Sequence, residues 1–150
     1  MKTKKEINEI IRLLEQEYPL AACSLDYAEA WQLLVSVRLA AQCTDARVNQ
    51  VTPALFAAFP NAEAMARATA EQVEPYIRSC GFYHGKARDI VAAAEMLVTR
   101  FGGRVPDTMD ELLALPGVGR KSANLILGDV YHVPGSVVVD THCIRLTNRI

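Results

Sequence analysis

The sequence predicts an all-α protein, a multi-helix bundle joined by short loops. Three observations carry that reading. Apolar residues recur three and four apart along most of the chain, no stretch sustains the alternation of a half-buried strand, and residues that cap or stop helices punctuate the periodic runs. With 150 residues, 51% of them hydrophobic, the chain suits one domain and buries roughly two thirds of its unfolded surface. No apolar run reaches the ~18 residues of a membrane span. The basic start, Met1-Lys2-Thr3-Lys4-Lys5, leads into Glu6, Asn8 and Glu9 rather than a signal core. A cytoplasmic protein is expected. The net charge of −1 provides no general field for nucleic acid, so any such contact has to come from a few placed groups.

The first helix is expected from about Ile7 to Tyr18, with Ile7, Ile10, Ile11, Leu14 and Tyr18 at helical spacing and Pro19 ending it. Asp26-Tyr27-Ala28-Glu29 resembles a capping box. It opens a segment, Trp31 to Ala41, that is apolar nearly all round and so belongs at the centre of a bundle. Thr44 or Asp45 caps the next helix, striped by Val48, Val51, Leu55 and Phe59, in which Pro53 predicts a kink or a late start. A short Ala-rich piece, Ala62 to Arg67, precedes a helix capped at Thr69 that runs to about Ser79 and ends at Gly81. His84 to Phe101 is the clearest amphipathic helix, with Ala87, Ile90, Val91, Ala94, Leu97, Val98 and Phe101 inward and Gly102-Gly103 as its stop.

Next comes a helix–turn–helix with a glycine turn. Thr108-Met109-Asp110-Glu111 fits a capping box, and Leu112, Leu113 and Leu115 face the core until Pro116 and Gly117 stop the helix. After Gly119, Ala123, Ile126, Leu127 and Val130 mark one face of a second helix, and Lys121 points away from it. Such a turn exposes N–H groups at the positive end of a helix dipole, a natural phosphate site. An ordinary αα-hairpin explains the spacing as well, and on spacing alone both stand. Val137-Val138-Val139 then reads as an extended link, and Asp140 caps a last helix of about ten residues carrying Cys143, Leu146 and Ile150. That helix is short and lacks a stop signal, so the chain is expected to be a fragment of a longer protein. Cys23, Cys43, Cys80 and Cys143 are far apart, with no zinc or cluster spacing, and are expected to be buried or half-buried thiols.

Lys121 and Asp140 stand out as chemistry. An amine and a carboxylate suit Schiff-base formation at an electrophilic sugar carbon, the acid steering protons and stabilising positive charge. The amine must be neutral, whereas free lysine titrates near ~10.4. The helix N-terminus and Arg120 both disfavour the ammonium, but the dipole contributes only about 0.3–1 kcal/mol, so desolvation by substrate has to supply most of the activation. On residue physics alone the simpler reading is a phosphate-contacting lysine and a helix-capping aspartate.

The segment Leu115-Pro116-Gly117-Val118-Gly119-Arg120-Lys121, followed nineteen residues later by Asp140 within Val139-Asp140-Thr141-His142, resembles the helix–hairpin–helix DNA glycosylases, most closely the endonuclease III branch. Ala41-Gln42-Cys43-Thr44-Asp45 and Ile77-Arg78-Ser79-Cys80-Gly81-Phe82-Tyr83 match that family in order, and the resemblance covers essentially the whole chain. It implies a helical domain of the HhH-GPD type over 1–150, with a core at about 22–135, the hairpin at 108–131, and 1–20 and 136–150 in a second lobe. It implies release of oxidised pyrimidines from DNA in base excision repair, followed by β-elimination at the abasic site. Lys121 falls on the nucleophile and Asp140 on the catalytic carboxylate. Leu115, Gly117, Val118, Gly119, Arg120 and Ser122 fall in the DNA-binding hairpin, whose glycines supply amides for a phosphate. Gln42 and Phe82 fall on residues that wedge into the duplex where the damaged nucleotide is flipped out. Leucine is usual at the second wedge; on the residues alone, Gln42 reads as a helix end and Phe82 as core.

The family normally continues to a four-cysteine loop holding a 4Fe-4S cluster, which this sequence lacks. The expectation is therefore no cofactor and no metal site in this chain, a cluster only in a full-length member, and an N-terminal helix whose Ile7, Ile10, Ile11 and Leu14 lack partners. The expected partner is double-stranded DNA with damaged bases or abasic sites, bound by a monomer, nucleoid-associated in a prokaryote, with no membrane. Two other readings stay open. One is a helix–hairpin–helix DNA-binding module without catalysis, including an inactive fragment. The other is a monofunctional relative such as the adenine-mismatch glycosylases, against which Lys121 argues.

Overall fold

Among residues 2–150, which the computed structural model describes, every regular element is helical: α1 (Lys4–Glu17), α2 (Ala30–Ala40), α3 (Asp45–Ala58), α4 (Ala62–Ala66), α5 (Ala70–Ile77), α6 (Tyr83–Phe101), α7 (Met109–Ala114), α8 (Arg120–Asp129) and α9 (Thr141–Thr147), with a 3-10 turn over Arg78–Cys80. The chain divides into two compact units. One is Leu25–Val138; the other joins the chain up to Ser24 with Val139–Ile150.

In the larger unit α6 is the long central helix, packed against α2, α4 and α5, and α8 packs against α2 and α7. Leu33, Leu39, Val48, Leu55, Met65, Val73, Ile77, Leu97, Leu112 and Ile126 are fully buried there. At about 1.5–3 kcal/mol for each large apolar side chain, their burial dominates the stability of the unit. The apolar helix expected at the centre is α2, which buries Trp31, Leu33, Leu34, Val35, Ser36 and Leu39. In the smaller unit α1 buries none of its residues; Ile7, Ile11 and Leu14 are about half exposed and line an open groove with Ile10, Thr147 and Ile150.

Caps and boundaries depart from the expectation at several points, the following for local reasons. α1 starts at Lys4, because Thr3 and Glu6 form a capping box just ahead of the apolar stripe. α2 starts at Ala30, one residue ahead of the expected Trp31, but its cap is Glu29 rather than Asp26: Gln32 Oε1 accepts from the backbone of Ala28 and Glu29, while Asp26 N–H donates to Asn49. α3 does not start late, since Thr44 accepts from Arg47 N–H and the helix runs on through Pro53. α9 ends at Thr147, whose hydroxyl donates back to the carbonyls of Cys143 and Ile144.

Candidate nucleic-acid interface and active site

The hairpin is held from below. Leu112 and Leu115 on one side of the turn and Ala123, Ile126 and Leu127 on the other are buried. The far end of α8 is anchored by the Tyr27 hydroxyl, which donates to Asp129, by Val133 N–H donating to Leu127 O, and by the Tyr131 hydroxyl donating to Val105 O. Beneath the turn, Arg38 of α2 and Asp89 of α6 form an ion pair, Nε to Oδ2 at 2.8 Å and Nη2 to Oδ2 at 2.6 Å.

The two glycines have different reasons. Gly117 adopts φ +75°, and a Cβ there would sit 2.6 Å from Arg38 Nε and 3.0 Å from Asp89 Cβ. It is glycine because the turn is left-handed and rests directly on the ion pair. Gly119 has φ −104°, which any residue adopts, and a Cβ there would meet nothing within 4 Å. Neither packing nor backbone demands glycine at 119; what its bareness leaves open is the approach to the start of α8. There, no acceptor among the described residues takes the N–H groups of Gly119, Arg120, Lys121 and Ser122, and Gly119 supplies no side-chain cap. The glycines thus divide by experiment. Gly117→Ala should destabilise the fold by about 1–3 kcal/mol through left-handed strain, with further loss from the overlap. Gly119→Ala should leave the melting temperature intact and weaken DNA binding about tenfold. Thermal melts beside binding isotherms check both.

Lys121 is exposed on the first turn of α8, as the spacing predicts, beside exposed Arg120. Ser122 and Val118 are half-buried. Leu115 is 2% exposed, its N–H donating to Leu112 O and its carbonyl accepting from Val118 N–H, so its side chain belongs to the core that supports the turn. Asp140 lies in the other unit as the N-cap of α9, with Oδ1 accepting from Cys143 N–H at 2.8 Å.

Gln42 and Phe82 share an unusual property. Both are exposed and both have left-handed backbones, φ 54° and 47°. Phe82 is 74% exposed, so it is not the core residue its type alone indicates. A left-handed backbone at a bulky residue costs on the order of 1–3 kcal/mol and persists only where the surroundings impose it. His132, at φ 52°, is the third described non-glycine residue in this state; Gln42 and Phe82 are the two that lie just ahead of a helix.

Cys80 is buried and Cys23, Cys43 and Cys143 are half-buried. Burial, then neighbouring Cys43, pushes the Cys80 thiol up to about 11, away from the thiolate that metals require. No three His, Cys, Asp or Glu side chains converge on a metal-sized site among the described residues. These cysteines therefore do not fit a four-thiolate iron–sulfur cluster. Among the same residues, no helix is long and apolar enough to cross a membrane.

Two supports escaped the sequence. The Arg38–Asp89 pair has no local signature, its members being 51 residues apart. Lys86 is 1% exposed, and here a signal existed: Lys86, Ile90, Ala93 and Leu97 recur at helical spacing, which puts the lysine on the buried stripe of α6.

Residues 35–150 match the family model of the HhH-GPD superfamily base excision DNA repair proteins. The protein named endonuclease III from Synechocystis sp. is 48% identical over 147 residues, which are 98% of this chain and 67% of that relative. Its counterpart from Bacillus subtilis is 38% identical, over 97% of this chain and 66% of its own length. A solved non-covalent endonuclease III–DNA complex superimposes with a TM-score of 0.92 at 40% identity, covering 98% of this chain and 68% of that one. The chain spans about two thirds of the length of these relatives. With this fold, this hairpin and identity at that level along the chain, it belongs to the endonuclease III family, the DNA glycosylases and abasic-site lyases of base excision repair.

Proposed function

We propose that the α7–α8 hairpin carries both DNA binding and the covalent step, with Lys121 as nucleophile and Asp140 as the acid–base partner, on duplex DNA containing oxidised pyrimidines or abasic sites. The observation that carries the reading is Lys121 itself: an exposed amine on the first turn of α8, next to the bare Gly119 and a row of N–H groups that no acceptor among the described residues takes. Those amides and the helix dipole hold a backbone phosphate of the DNA, supported by Arg120, and so fix the sugar that Lys121 attacks. Gln42 and Phe82 enter the stack vacated by the flipped nucleotide, which offsets part of an unstacking cost of a few kcal/mol.

The chemistry follows from an amine at the sugar. The Lys121 Nζ lone pair attacks C1′, the bond from C1′ to the base breaks, and the base departs with a proton. The nitrogen gives up the proton that the departing base carries away; the C1′–O4′ bond then opens, its electron pair going to O4′, which takes a proton relayed from solvent, and a protonated Schiff base remains. That cation acidifies C2′–H; removal of its proton expels the 3′ phosphate, breaking C3′–O3′, and water then releases the lysine. Asp140 stabilises the positive charge developing at C1′ and relays protons. A protein 40% identical to this chain, with a TM-score of 0.92, has been trapped as an endonuclease III–DNA covalent intermediate, which supports a covalent route. We read the protein as a cytoplasmic monomer whose described residues hold no cofactor, a 4Fe-4S cluster being expected in full-length members of the family.

Incubation with duplex DNA containing an abasic site in the presence of borohydride tests the proposal. A protein–DNA adduct that resists denaturation is expected. Folded, DNA-binding protein that forms no adduct would overturn the lyase assignment in favour of a binding module.

A further inference from the structure

Lys86 is among the largest fully buried side chains, yet among the described residues no carboxylate pairs with it. Its Nζ donates to Leu39 O at 2.8 Å and to Cys80 O at 2.6 Å. Leu39 lies at the end of α2, three residues before Gln42. Cys80 closes the 3-10 turn, two residues before Phe82. The backbone N–H of Lys86 also donates to Phe82 O at 3.2 Å. One side chain thus ties together the two chain reversals that end in left-handed Gln42 and left-handed Phe82. The Cys43 and Cys80 thiols, neighbours of each other, border the same point.

Burying an ammonium is expensive, and its hydrogen bonds to neutral carbonyls offset that only in part. Desolvation holds the pKa of Lys86 below the ordinary lysine value, with the two thiols opposing the shift. An apolar residue would fill the space without that cost, but it would orphan two inward-pointing carbonyls and leave the two turns connected by packing alone.

We propose that Lys86 is a positioning residue for the repair reaction, a clamp that fixes the turn bearing Gln42 relative to the turn bearing Phe82 and so sets how the two enter the duplex. This rests on the wedge reading of Gln42 and Phe82. Lys86 touches no DNA; it acts through the backbone of its two neighbours.

The test uses a duplex carrying a reduced, uncleavable abasic site with 2-aminopurine opposite it, whose fluorescence rises when that base loses its stacking. At saturating protein the amplitude reports the opened stack independently of affinity. Wild type should give the full rise, and the double variant Gln42→Ala/Phe82→Ala should bind through the hairpin but lose it. Lys86→Met should bind within about tenfold of wild type, yet show at most about half of the amplitude. Full amplitude in Lys86→Met, with the wedge variant's amplitude lost, overturns the clamp and leaves the wedge standing. A wedge variant that keeps the full rise overturns both. Loss of binding and melting temperature in Lys86→Met, with normal amplitude in the fraction that binds, makes the residue merely structural and also overturns the proposal. If Lys86→Met does not fold, Lys86→Gln replaces it, since its shorter side chain keeps amide donors but does not reach both carbonyls, and the same outcomes decide.

Discussion

Lys121→Ala is expected to abolish the borohydride adduct and to slow strand cleavage by at least about 10³-fold, because a covalent route loses its nucleophile. The fold should not register the change. Lys121 is exposed, alanine is the better helix former, and removing a cation from the first turn of α8 relieves an unfavourable interaction with the dipole. The unfolding free energy should therefore stay within about 0.5 kcal/mol of wild type. The competing role, a phosphate-contacting lysine, predicts a different pattern. Affinity would then fall at low salt, the salt dependence would flatten by about one counterion, and cleavage at saturation would persist.

Asp140→Asn separates two roles that coincide in the structure. The carboxylate caps α9 through Cys143 N–H, and asparagine is an equally good N-cap. The substitution keeps the cap and removes the charge. Base release should fall about 10²- to 10⁴-fold while folding and DNA binding hold. Asp140→Ala loses the cap as well and should cost about 1 kcal/mol of helix stability in addition. If Asp140 were only a cap, the asparagine variant would match wild type in rate and the alanine variant would differ in stability alone. Single-turnover base release beside thermal melts decides between them.

How much of this was legible beforehand depended on the range of the interaction. Helical periodicity and caps are local, so α3 through α8 and the glycine turn could be read from residue spacing. Lys121 was legible as an exposed lysine because a helix turns about 100° per residue. Its role as a nucleophile working with Asp140 came from resemblance, since residue physics alone favours a phosphate-contacting lysine and a helix-capping aspartate. Supports that depend on tertiary contact were not legible. Gly117 was read as a turn residue, but its second reason, the Arg38–Asp89 pair beneath it, requires knowing that α2 and α6 meet there. Phe82 shows the opposite failure. By type it belongs in a core, and only its left-handed backbone and exposure reveal that the chain directs it outward.

The central claim is that the amine on the hairpin makes the bond to DNA. The most direct measurement is digestion of the borohydride-trapped adduct and mass spectrometry of the DNA-linked peptide. The modification is predicted on Lys121, within the peptide that begins after Arg120. Attachment at another amine, such as an N-terminal lysine of α1, with Lys121 unmodified, would contradict the account.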